Sequence, residues 1–215
     1  MVGTSPSKNL YAKRGSINLE NNKGKKIRLE LADMLAGAAF PLMLMVILSA
    51  SILSFATSGD FVMDIIVLVI GELLIIAVLM IFGRQNGAYA YRKSVQQLKK
   101  REIGTSDLKA LLGTGEYAIY KGFLIGLISC APFLIFQFIN CIFPNTFCEF
   151  LLIYAFGWAY LPLRFIHASE WLNLLWIIPA TGVHALAYFI GGKMEKKKQD
   201  DMASRQNGKD KKKKA

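Results

Sequence analysis

Three ionisable side chains sit inside long apolar runs, and each is of a type that moves protons or holds cations. Glu72 lies near the middle of residues 61–83, FVMDIIVLVIGELLIIAVLMIFG, and Asp64 lies near one end of the same run. His184 lies in the apolar run of residues 171–192. A carboxylate in hydrocarbon is costly, so Glu72 needs a proton or a partner, and an imidazole sharing that proton would satisfy both groups. Counted at about 1.5 Å per residue from positions 61 and 171, Glu72 lies about 16 Å deep and His184 about 20 Å. That spacing predicts a Glu72–His184 pair near the membrane midplane. The competing reading is a neutral Glu72 bonded to a hydroxyl, an amide or a proline-freed carbonyl. Asp64, a turn from the boundary, can snorkel to water. Acids in kinked helices recur in proton- or cation-coupled transporters, but a buried acid also serves to fix helix order.

The remaining chemistry is sparse. Cys141 and Cys148 flank residues 143–146, and a turn there would bring them within disulfide reach on an oxidising face. Plain packing of small apolar thiols is the alternative. Two histidines 17 residues apart and three scattered cysteines do not form a metal site. No Gly-x-Ser-x-Gly, His-Glu-x-x-His or phosphate-binding glycine loop occurs. The sequence predicts no enzyme, no metal and no cofactor.

The elements that must hold these residues are membrane helices. The 215 residues are 53% hydrophobic, with a mean hydropathy of +0.36, too apolar for an ordinary soluble domain. The net charge of +11 lies in two tails and one loop between apolar runs. That is the positive-inside pattern, with attraction to anionic lipid headgroups, and not a nucleic-acid surface.

The fold class is all-α, a polytopic helical membrane protein. Spans are predicted at about 35–57, 61–83, 117–142 and 171–192, within a helical membrane domain over 29–192. Residues 1–28 and 193–215 read as disordered basic cytoplasmic tails, and 84–117 as a basic cytoplasmic loop. Pro41, Pro132 and Pro179 interrupt three spans, and Pro41 frees the Gly37 carbonyl. Gly122, Gly126 and Cys130 put three small residues on one helical stripe, a packing face.

Residues 147–163 conflict with the charge. A fifth span there would send the tail's ten Lys and Arg outside, whereas four spans bring all three basic regions to one face. Four spans plus a short re-entrant or interfacial segment is the preferred reading, with five spans the alternative. Tyr154, Trp158 and Tyr160 suit headgroup level. The ending Lys212-Lys213-Lys214-Ala215 has the form of a di-lysine retrieval signal, which any polylysine tail matches. A bacterial cytoplasmic membrane, with both termini cytoplasmic, is preferred.

Two functions fit. One is a small membrane scaffold or accessory subunit, docking a membrane protein partner or a second copy through the Gly122/Gly126 stripe and the basic loop. The other is a small proton- or cation-coupled transporter or channel with Glu72 in the path. The missing catalytic motifs and the scarcity of internal polar residues favour the first.

Overall fold

Backbone amides inside hydrocarbon can bond only to one another, so unbroken apolar runs without strand alternation must become helices. The structure, a computed structural model, describes residues 7–55, 61–100, 117–165 and 169–214. Its elements are α1 (Ser7–Phe55), α2 (Phe61–Lys100), α3 (Ile119–Ile142), α4 (Thr146–Phe165), α5 (Glu170–Asn173), a 3-10 turn (Leu174–Trp176) and α6 (Ile177–Lys214). Four helices are long and apolar enough to cross a membrane, over Arg28–Phe55, Val62–Leu98, Tyr120–Ile142 and Trp171–Ser204, and Thr146–Leu161 is a shorter apolar helix. The chain is a polytopic helical membrane protein, with four spans among the described residues.

Helix extends further than the apolar runs do. The second span does not stop at Gly83: α2 continues to Lys100, so the first half of the expected basic loop is helix. Residues 101–116 of that loop lie outside the described residues. The reason α2 continues is its buried stripe, in which Leu79, Gly83, Gly87, Tyr91 and Val95 recur every four residues and keep the polar half packed. The tails read as disordered are helical from Ser7 in α1 and through Lys214 in α6. A span already supplies the nucleus, so adding residues to its end carries no nucleation cost, and the Gly and Asn positions lower helix stability without forbidding it.

The four spans alternate in direction. At one pole, Glu30 and Asp33 of α1 meet Lys121 of α3 and Lys93 of α2, and Arg92 of α2 meets Glu195 of α6. At the other pole lie the end of α1, the start of α2 and the end of α3. Both ends of α4 also lie there. It follows α3 after three residues, and four residue steps of chain, at most about 14 Å, link Phe165 to Ser169. The Trp171 ring just beyond packs edge-on against Phe138 of α3, centroids 6.3 Å apart. Hence α4 enters the bundle and returns without crossing it.

What allows this is a break at Phe156, whose φ of −128° and ψ of 25° leave the helical region. The freed Trp158 N–H donates to Ser49 Oγ of α1 at 3.4 Å. Protein covers the break, as irregular backbone at membrane depth requires. Trp158 and Tyr160 are buried at 3% and 1% exposure, so they are core residues and not the headgroup-level aromatics expected; only Tyr154 is exposed. They join Met45, Leu79, Phe133, Leu152 and Ile177 in one apolar cluster that fills the bundle.

Single cysteines at Asn145 and Ser169, in a background with the three native cysteines replaced by alanine, should label from the same side of the membrane. A cysteine at Ser204 should label from the opposite side. Opposite labelling of Asn145 and Ser169 would mean that α4 crosses.

Candidate functional site

The polar pole is built on small residues. Gly83 and Gly87 of α2 face α6, where a methyl group on Gly87 would overlap the Tyr188 carbonyl oxygen. On α6, a methyl group on Gly191 would overlap the Arg84 carbonyl, and one on Gly192 the Tyr117 ring. The two backbones therefore touch, an approach open only to residues without side chains. Gly122 and Gly126 do the same for α3. A Cβ at Gly122 would lie 2.7 Å from Tyr188 Cβ, and one at Gly126 3.1 Å from His184 Cβ. Cys130, the third member of that stripe, is buried in the apolar cluster. The stripe is thus consumed inside the chain and is not the docking face expected of it.

Around this contact the structure gathers its rings and charges. Tyr117 stacks on Tyr188 at 5.7 Å and meets Tyr91 edge-on at 5.8 Å. Burial pushes the Tyr117 phenol above its ordinary 10.0, which keeps it a donor, and it donates to the Phe189 carbonyl at 3.2 Å. Lys93 pairs with Asp33 and Arg92 Nε with Glu195 at 3.1 Å. Lys121, only 6% exposed, lies 3.9 Å from Glu30. Asn86 Nδ2 donates at 3.2 Å to the Gly37 carbonyl, the group that Pro41 leaves without an intrahelical partner. Glu30, Asp33, Asn86, Lys93, Lys121 and Tyr188 line a cavity of about 50 Å3, enough for one or two waters. Its acids and lysines balance, so it is a pinned junction of α1, α2, α3 and α6.

His184 is fully buried, and its Nδ1 lies 2.8 Å from the Gly122 carbonyl oxygen. A carbonyl only accepts, so Nδ1 carries the proton and Nε2 is left as a bare acceptor. Nε2 has no hydrogen-bond partner among the described residues. The expected pair with Glu72 does not form. His184 is level with Gly83, whose Cβ would meet the His184 carbonyl at 2.7 Å. Glu72 lies 11 residues back along α2, about 16 Å away. The depth count failed because it started both helices at a common plane, while α5 and the 3-10 turn start the last span deeper than α2 starts. Glu72 is half-buried beside Gly71, which faces Ile52 of α1, and has no hydrogen-bond or ion-pair partner among the described residues. Asp64 is half-buried on the same helix.

No disulfide joins Cys130, Cys141 or Cys148. Cys148 is turned into the bundle, and Asn145 holds it there through an Oδ1 that accepts the Cys148 N–H at 2.7 Å. Cys141 takes a long contact from Gln137 Nε2 at 3.7 Å.

The α2–α6 contact was not among the expectations drawn from the sequence. Its signal was present, since Gly83-x-x-x-Gly87 is the same motif as Gly122-x-x-x-Gly126. Ending the span at Gly83 hid it. Glu30, Asp33 and Lys121 were missed for a different reason: ion pairs between remote helices leave no spacing to read.

Gly87→Ala should cost about 3 kcal/mol or prevent folding. Gly182→Ala, with open space around the added methyl, should change stability by no more than about 1 kcal/mol. Thermal unfolding in detergent compares them. In the same assay a double-mutant cycle of Glu72→Gln and His184→Asn should be additive within about 0.5 kcal/mol. A larger coupling would place the two side chains in contact.

Comparison with known proteins found no family model that matches this chain, and no similar curated protein or solved structure.

Proposed function

We propose that this protein is a small membrane scaffold or accessory subunit that receives a helix of another membrane component along the outer half of α2. One observation carries the reading. The second span is the most apolar of the four and the least covered, with 17% of its most apolar stretch buried, and within its apolar run stands Glu72, without a partner among the described residues. Apolar side chains such as Ile66, Ile70 and Leu73 are satisfied by lipid, but a carboxyl is not. A partner helix bringing a hydroxyl, amide or amine to Glu72 removes that penalty and defines a docking register. The Lys and Arg bias supports cytoplasmic termini in a bacterial cytoplasmic membrane, with the uncovered half of α2 toward the outer leaflet.

The transporter reading draws on a different observation. Lys121, Ser129, Thr181 and His184 are buried polar groups on α3 and α6, and the bare His184 Nε2 is a proton acceptor. The apolar cluster around Phe133, Leu152 and Ile177 closes the bundle beyond them. In that reading the proton site is His184, not Glu72.

Affinity purification in mild detergent tests the proposal. The wild type should bring down a stoichiometric second membrane protein. Glu72→Leu should weaken that association about tenfold, and Glu72→Gln, which keeps hydrogen bonding, by no more than about threefold. A lone species unaffected by Glu72→Leu would refute docking at α2. A homo-oligomer with proton flux lost in His184→Asn would favour transport.

A further inference from the structure

The polar pole carries a second feature, independent of the Glu72 face. A groove of about 470 Å3 runs between α2 and α6. Ile81, Gly191 and Met194 supply its apolar part. Arg84, Arg92 and Lys198 also line it, against the single carboxylate of Glu195. That carboxylate is already engaged, by Arg92 Nε at 3.1 Å and by Gln199 Nε2 at 3.4 Å. Arg84 Nη2 donates to the Met194 sulfur at 3.2 Å, a neutral and weak acceptor that leaves its charge uncompensated. Lys198 is exposed and has no acidic partner among the described residues. The groove therefore holds a surplus of two positive charges.

Its position along the helices matters as much as its charge. Ile81 belongs to the apolar run of α2, and Arg84 opens the basic segment that follows. The groove straddles the boundary between hydrocarbon and headgroup. The backbone contact of Gly191 with Arg84 forms its floor and holds its two walls at a set distance. A ligand complementary to it presents an anion next to an apolar chain.

We infer that the α2–α6 groove binds the phosphate headgroup of an anionic phospholipid. The phosphate sits among Arg84, Arg92 and Lys198, and an acyl chain runs along Ile81 and Met194. A soluble anion lacks the apolar half of this match. A zwitterionic lipid brings its own cation, which the groove's surplus charge repels.

Native mass spectrometry of the full chain in a nonionic detergent tests this, with phosphatidylglycerol, phosphatidylcholine or inorganic phosphate added. Phosphatidylglycerol should stay bound and raise the unfolding temperature. Phosphatidylcholine should bind about tenfold more weakly, and phosphate should give no protection. Arg84→Gln and Lys198→Gln, both at exposed positions, should each weaken phosphatidylglycerol binding about fivefold. Arg84→Lys keeps the charge and should stay within about twofold, which separates lost binding from lost fold. Lys193→Gln, whose amine lies over the Phe189 ring at 4.4 Å and outside the groove, should change nothing. Equal binding of phosphatidylcholine, equal protection by phosphate, or full binding in both Gln variants would overturn the inference.

Discussion

Backbone touching backbone at the α2–α6 crossing is the contact on which the rest of the structure depends. In lipid, no hydrophobic drive pulls one apolar helix onto another, so association rests on dispersion and on polar bonds between helices. Dispersion falls off steeply with separation, which makes residues without side chains the strongest contributors. Gly83, Gly87 and Gly191 bring the two longest-packed helices together, and Gly122 and Gly126 seat α3 on the same face of α6. Tyr188 is the common neighbour of Gly83, Gly87 and Gly122. Once these contacts set the positions of three helices, α1 closes the bundle through Asn86, Ser129 and the pairs at Glu30 and Asp33.

At two interruptions of the helical backbone, the freed group finds a partner on another helix. Pro41 releases the Gly37 carbonyl, and Asn86 takes it. The break at Phe156 releases the Trp158 amide, and Ser49 takes it. These bonds turn local defects into cross-links between helices. They also explain why α4 can be a short, bent element inside the bundle. Its irregular backbone is covered by α1 and by the apolar cluster, where lipid would have left it unsatisfied.

Charge and burial divide the molecule lengthwise. Paired charges and tyrosines occupy the basic pole, the middle is filled by Met45, Phe133, Leu152 and their neighbours, and the opposite pole holds the bent α4. Two features stand apart from this order. His184 is buried with one ring nitrogen bare, and Glu72 sits on the thinly covered span. Both are polar groups without a partner among the described residues, one inside the bundle and one on its lipid face.

Composition and pattern alone determined the helical class and favoured four spans, with residues 147–163 as a shorter apolar segment, over five. The physical reason is that hydrocarbon thickness and backbone satisfaction act on local sequence, and the basic residues bias each loop by counting alone. The Gly122/Gly126 stripe was legible for the same reason, because small residues one turn apart share a face wherever the helix goes. Only the tertiary structure decided what each face meets. It carried α2 past Gly83 and consumed the glycine stripe internally. It also kept Cys141 and Cys148 apart and set His184 level with Gly83 in place of Glu72. Axial offset between helices is a property of packing among remote segments, which spacing along the chain does not record.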